Sequence, residues 1–193
     1  METCKADIDV TKITPTPDTE MKLIQAARDG DRQAYQQLYQ SYAGRVFALC
    51  YRLTADRGLA EDATQEVFIQ LWQKLSNFAG QSRFTTWLHS VTANITLSYM
   101  RKQKGWFARV MNIEDSMAAQ SAAESCTSEV DLEALIVRLP ERARVVFVLH
   151  AIEGHRHEEI GRMLNMATGS SKAQFHRAKQ LLKTWMGYDD EDI

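Results

Sequence analysis

The sequence predicts an all-α fold built as two helical modules joined by a flexible linker. Three observations carry this. Glycine and proline are scarce, 9 and 3 in 193 residues, and Pro15 and Pro17 both stand near the start. The body therefore has few of the turns that bound strands. Apolar residues recur at three- and four-residue steps over long stretches, the period of one helix face. Between two such stretches lies an Ala-, Ser- and acid-rich segment of weak periodicity, whose composition suits a tether. The overall balance, 45% hydrophobic and 25% charged, is that of a globular protein.

Residues 1–20 are polar and expected to be disordered. From Met21, the residues Leu23, Ile24 and Ala27 begin a helix face that "RDGD" interrupts at Gly30. Asp31 is a suitable N-cap for the next helix. Its apolar face is Tyr35, Leu38, Tyr39, Tyr42, Val46, Leu49, Cys50 and Leu53, and "TADRG" ends it. A third helix starts near Leu59 and buries Ala63, Val67, Phe68, Leu71, Trp72 and Leu75. After the loop "SNFAGQSR", a fourth helix carries Phe84, Leu88, Val91, Ile95 and Met100 on its apolar side and ends in Arg101, Lys102 and Lys104. Residues 105–130 are the acidic linker. The second module runs over residues 131–187: "DLEALIVRL" is stopped by Pro140, "ERARVVFVLHAIE" by Gly154, and two further helices follow. Residues 188–193 form an acidic tail.

No run approaches the roughly 18 apolar residues needed to span a bilayer. The first residues lack a basic segment and an apolar core, so they are not a secretory signal. Both points place the protein in the cytoplasm. Cys4, Cys50 and Cys126 form no CxxC pair, so neither a disulfide framework nor a structural zinc site is expected. Reduced thiols suit that compartment, with Cys50 on a buried helix face.

The formal net charge is only −2, but its distribution is uneven. Residues 162–187 hold five cations and no carboxylate, whereas the linker and the tail are both acidic. Such local asymmetry, more than the total, is the footprint of a polyanion-binding surface.

The stretch "GHRHEEIGRMLNMATGSSKAQFHRAKQLL", Gly154 to Leu182, admits two chemistries. His155, His157 and Glu158 have the composition of a metal site, but the spacing is wrong. A zincin helix needs H-E-x-x-H, and two histidines two residues apart point about 200° apart on a helix. No metal and no cofactor is expected. Glu158 and Glu159 instead suit the positive end of a helix dipole. The better reading is a helix-turn-helix. Ile160 and Leu164 face inward on a short helix, "NMAT" turns, and a second helix runs from about Gly169 to Trp185. Phe175, Ala178, Leu182 and Trp185 would face inward. Ser170, Ser171, Lys172, Gln174, Arg177 and Lys179 would lie outside. Small residues at a helix N-terminus admit a phosphate, basic residues add counterion release, and Gln or Arg can read base edges.

At these residues the chain resembles a family. "LPERARVVFVLHAIEGHRHEEIGRMLNMATGSSKAQFHRAKQLL" is similar to the C-terminal domain, sigma domain 4, of extracytoplasmic-function (ECF) bacterial RNA polymerase sigma factors. Gly169, Ser170, Lys172, His176, Arg177, Ala178 and Lys179 stand at the family's motif places. "AEDATQEVFIQLWQKL" and "FTTWLHSVTANITLSYMRK" resemble the polymerase-binding and −10-reading helices of sigma domain 2. The resemblance implies an all-α pair, with sigma domain 2 at 21–104 and sigma domain 4 at 131–187. It implies an alternative sigma factor, not itself an enzyme, that binds the clamp and flap of core RNA polymerase and directs promoter-specific transcription, often in stress responses. An anti-sigma factor, commonly membrane-anchored, is the implied regulator.

Carried over residue by residue, the resemblance assigns core polymerase binding to Asp62, Gln65 and Glu66, and three- and four-residue steps put Ile69 on the same side of the helix. Contact with the −10 element falls to Asn77, Phe78, Arg83, Phe84, Trp87, Asn94, Arg101, Lys102 and Lys104. Contact with the −35 element falls to Gly169, Ser170, Ser171, Lys172, Gln174, Arg177 and Lys179. Opening a promoter requires bases held outside the duplex; for Phe84 and Trp87 core packing is the competing role, evenly matched for Trp87. The linker is implied to thread near the template strand. The chain leaves the pattern at Ser98, where Asp is common, at Ser171, where Val is common, and at Ala173-Gln174, where Ser-Arg is common. Gln in place of Arg permits adenine readout, so promoter choice is expected at Ser171 and Gln174. The rival readings are a repressor using the helix-turn-helix alone, and a metalloenzyme or metal sensor using His155 and His157.

Overall fold

The computed structural model describes residues 17–102 and 131–187. The linker, residues 1–16, the C-terminal tail, Lys104, Cys4 and Cys126 lie outside the described residues, whereas residues 17–20, expected to be disordered, form the first turn of a helix. Eight helices and no strand occur among the described residues.

Four helices make the first module: α1 (Pro17–Arg28), α2 (Arg32–Thr54), α3 (Arg57–Lys74) and α4 (Phe84–Lys102). Gly30, at φ +97°, makes the turn after α1 that a residue with a Cβ would resist. Asp31 caps α2, its carboxylate accepting from the N–H of Gln33 at 2.7 Å and of Ala34 at 3.2 Å. Asp56 caps α3, which starts two residues before the expected Leu59, and accepts from the Leu59 N–H at 2.8 Å. A short 3₁₀ turn, Leu75–Asn77, leads into the loop.

The inward faces of these helices form one core around Leu38, Tyr42, Val46, Val67, Leu71, Phe84 and Leu88. Cys50 sits fully buried, its sulfur 3.2 Å from the Thr96 hydroxyl, and burial pushes its thiol pKa up. Tyr39 and Trp72 depart from the sequence expectation. They are 44% and 39% exposed beside Ile69, at 60%. Tyr35 fills the place between them, donating its hydroxyl to the Phe68 carbonyl and meeting Trp72 edge-on.

The second module has α5 (Leu132–Arg138), α6 (Glu141–Phe147), α7 (His157–Leu164) and α8 (Thr168–Trp185). Helix α6 ends in a π-helical turn, Val148–Ile152, closed by the Glu153 N–H on the Val148 carbonyl at 3.0 Å. Ala143, Leu139, Ala178 and Leu182 pack together, with Arg138 over the Trp185 ring at 4.8 Å.

The sequence pattern does not reveal that the modules share a core. Leu49, Leu53, Ala93, Leu97 and Met100 of the first pack against Ile136, Val145, Val148, Leu149 and Ile160 of the second. Polar contacts flank this seam. Arg52 pairs with Glu133, Nε to Oε2 at 2.8 Å. The His89 Nδ1 lies 3.1 Å from a Glu153 carboxylate whose side chain is almost fully buried. Arg144 crosses the seam with no carboxylate pairing with it among the described residues. Its guanidinium donates to the carbonyls of Leu53 and Thr54 in α2 and of Val137 and Leu139 in its own module. Leu53 and Thr54 belong to the last turn of α2, where carbonyls have no partner within the helix.

Candidate functional site

Three surfaces gather the residues selected from the sequence. On α3, Asp62, Gln65 and Ile69 are exposed and Glu66 is half-buried. Asp62 accepts from the Tyr99 hydroxyl at 3.1 Å, and Glu66 accepts from Gln70. The sequence reading missed Tyr39 and Trp72, which widen the apolar part of this face. The signal was available: α3 repeats its apolar positions so closely that one helix face cannot hold them all.

The second surface surrounds the 78–83 loop and the start of α4. Asn77, Arg83, Asn94, Arg101 and Lys102 are exposed. Asn94 donates to the Ser90 carbonyl at 2.8 Å, which fixes the side chain. Ser98 is exposed, so the departure there removes no packing.

Phe78 and Phe84 are 3% and 1% exposed, which leaves Phe84 on the apolar side of its helix as the pattern predicts and sets both apart from the exposed residues of this surface. Their rings meet at 5.4 Å, and Phe84 also meets Tyr42 at 5.4 Å. Burying such rings outweighs exposing them to water, so both anchor the loop and present no face to a base. Trp87 is half-buried against them, 5.3 Å from Phe78 and 5.8 Å from Phe84.

The third surface is the helix-turn-helix. Gly161 permits its tight turn: a Cβ there would stand 2.8 Å from the Met166 carbonyl oxygen. Asn165 ends α7 in the left-handed region at φ 53°, a conformation Asn tolerates better than most residues. The Arg156 N–H donates to Glu159 Oε2 at 2.8 Å, which holds the Glu159 carboxyl below its ordinary range. The acidic start of α7 is thus a helix-end device. No cluster of three or more possible metal ligands occurs among the described residues.

On α8, Gly169, Ser170, Lys172, Arg177 and Lys179 are exposed and Gln174 is half-buried. No side chain caps the helix at Ala167, so its first N–H groups remain open to an anion. Lys179 Nζ sits 5.2 Å from the Phe175 ring.

Ser171 is a correction to the sequence reading. It is 0% exposed, facing α7, with its Oγ 2.9 Å from His157 Nδ1. The inward series Phe175, Ala178, Leu182 and Trp185 reaches Ser171 when extended one turn back. Helix geometry therefore turns this residue away from any ligand of the outer face.

The Sigma-70 region 2 family model matches residues 38–105, and the Sigma-70 region 4 model matches residues 129–182. Together they cover more than half of the chain. The ECF RNA polymerase sigma factor SigW of Bacillus subtilis is 29% identical over 84% of this chain and 94% of its own length. The ECF RNA polymerase sigma factor SigE of Mycolicibacterium smegmatis is 30% identical over 81% of this chain and 64% of its own length. Among solved structures, the sigma factor RpoE of Bartonella quintana, crystallised with the anti-sigma factor NepR, aligns with a TM-score of 0.51. That likeness, at 22% identity over 80% of this chain and 98% of the other, concerns the fold. The chain belongs to the ECF sigma factors of bacterial RNA polymerase.

Proposed function

We propose that this chain is an alternative sigma factor that acts in the cytoplasm, gives core RNA polymerase its promoter choice and is held in check by an anti-sigma factor. The α3 face with Asp62, Gln65, Glu66 and Ile69, extended by Tyr39 and Trp72, docks on the polymerase clamp. Asn77, Arg83, Asn94, Arg101 and Lys102, with the edge of Trp87, receive the −10 strand. Helix α8 enters the −35 major groove, and its module contacts the flap. The observation that supports this best is the uncapped N-terminus of α8 with Lys172, Arg177 and Lys179 all exposed along it. Gln174 is then the base reader, and promoter choice attaches to it rather than to direct contact by Ser171.

The seam between the modules bears on how this works. Promoter elements some 25 base pairs apart are separated by roughly 85 Å at 3.4 Å per pair, so the two modules must part for both to be read. The closed arrangement, with Ala93, Leu97 and Met100 of α4 covered by the second module, suits a factor awaiting polymerase.

Replacing Lys172 by Ala tests the −35 assignment. Binding of holoenzyme to promoter DNA should weaken at all −35 sequences, and the slope of log affinity against log salt should fall by about one unit. An unchanged slope would remove Lys172 from the phosphate contacts.

A further inference from the structure

The contact between Ser171 and His157 belongs to a larger cluster that joins three elements. The His157 ring stacks on His150 of the π-helical turn, with centroids 4.1 Å apart and planes 23° apart. His150 Nδ1 lies 2.8 Å from the His155 carbonyl; since a carbonyl only accepts, that nitrogen carries a proton. Phe175, one turn beyond Ser171 on α8, closes on both imidazoles, 4.5 Å from His150 and 5.8 Å from His157. It also stacks on Phe147 at 5.9 Å.

Within this aromatic clamp, the bond between His157 and Ser171 is the polar link from α7 to the first turn of α8. A buried hydroxyl without a partner is costly, whereas apolar replacement of both partners can be nearly neutral. Valine, the common residue at this place in the family, would leave His157 Nδ1 without its partner. A ring lacking that nitrogen would strand the Ser171 hydroxyl. The identities at 157 and 171 are therefore coupled. Side chains advance about 100° per residue, so the rotation that seats Ser171 against α7 also fixes the directions of Ser170 and Lys172 beside it.

We propose that His157 is a positioning residue for −35 recognition. Through its hydrogen bond to Ser171 it sets the seat of α8, so that the pair governs −35 binding without touching DNA. This rests on the reading of α8 as the −35 helix.

The test uses holoenzyme assembled from the full chain and core polymerase, and two promoter duplexes that differ in whether the −35 element is present. Ser171→Val and His157→Phe should each weaken binding to the complete duplex roughly fivefold or more and leave binding to the shortened one unchanged. His157→Asn, which places an amide near the Nδ1 position, should recover most of the loss. The double variant His157→Phe/Ser171→Val should bind closer to wild type than either single variant. Lys172→Ala, run alongside, reports the underlying reading alone. If it weakens −35-dependent binding while the 157 and 171 variants do not, the positioning role is wrong and the reading of α8 stands. Equal losses on both duplexes, or single-variant losses that simply add, would mean a purely structural contact and would also overturn the proposal. A Lys172→Ala variant with undiminished −35 dependence would remove the reading of α8 and the proposal with it.

Discussion

Arg144→Met removes a side chain that joins the two modules through backbone carbonyls alone among the described residues. Four carbonyls lose a donor: Thr54 at 3.1 Å, Leu139 at 3.0 Å, Val137 at 3.3 Å and Leu53 at 3.4 Å. At about 1.5 kcal/mol for each buried acceptor left without a partner, the loss is about 6 kcal/mol. Against this stands the cost of burying the cation. Desolvation pushes the Arg144 pKa from 12.5 down to about 10, which at 1.36 kcal/mol per pKa unit is about 3 kcal/mol. Methionine relieves that cost and fills much of the volume, so the net destabilisation is about 3 kcal/mol. For a chain of this length it should lower the melting temperature by about 10 °C. Differential scanning calorimetry on wild type and variant measures it directly. Arg144→Lys should be no milder, because an ammonium keeps the charge and cannot span four acceptors in a planar fork. A loss below about 1 kcal/mol for Arg144→Met would refute the claim that these carbonyls depend on Arg144.

Three further outcomes are expected. Ile69→Glu places a charge at the centre of the exposed apolar face on α3 and should weaken core polymerase binding by about 2 kcal/mol, roughly 30-fold, in a titration with purified core; unchanged affinity would move the docking face elsewhere. Gly161→Ala puts a Cβ where only 2.8 Å separates it from the Met166 carbonyl; −35-dependent binding should fall in the same holoenzyme assay while core binding persists. The His157 pKa is lowered, first by desolvation within the ring stack and then by the nearby charges of His150 and Lys172, with Glu158 opposing. The unfolded chain therefore takes up this proton first. The associated stability is present above the ordinary histidine pKa, about 6.5, and is lost as pH falls through it. Proton NMR of the His157 ring should show a midpoint below 6.5; a midpoint at or above it would contradict the stacked environment.

Local rules carried the helices well. Asp31 was readable as a cap because an acidic residue stands between Gly30 and an apolar series, and the carboxylate does accept from the first amides of α2. Ser171 was misplaced because the inward register on α8 was begun at Phe175, and a small polar residue one turn earlier passed as surface. The helix period puts Phe84 on the apolar side of α4, but Phe78 stands in a loop where no period applies. Whether an aromatic ring beside a loop is anchor or platform is decided by partners distant in sequence, here Tyr42 of α2. Arg144 was invisible for a similar reason. Its neighbours Ala143, Val145 and Val146 are all buried, which marks a closely packed helix, but two of its four acceptors are carbonyls about 90 residues earlier. Side-chain patterns say nothing of free backbone groups at another helix's end.

Mapping RNA 5′ ends made from genomic DNA by core polymerase, with and without the purified chain, tests whether this chain lends promoter choice. New start sites should share one pair of upstream elements at −35 and −10 and disappear with Ile69→Glu. Start sites identical to those of core polymerase alone would contradict that role.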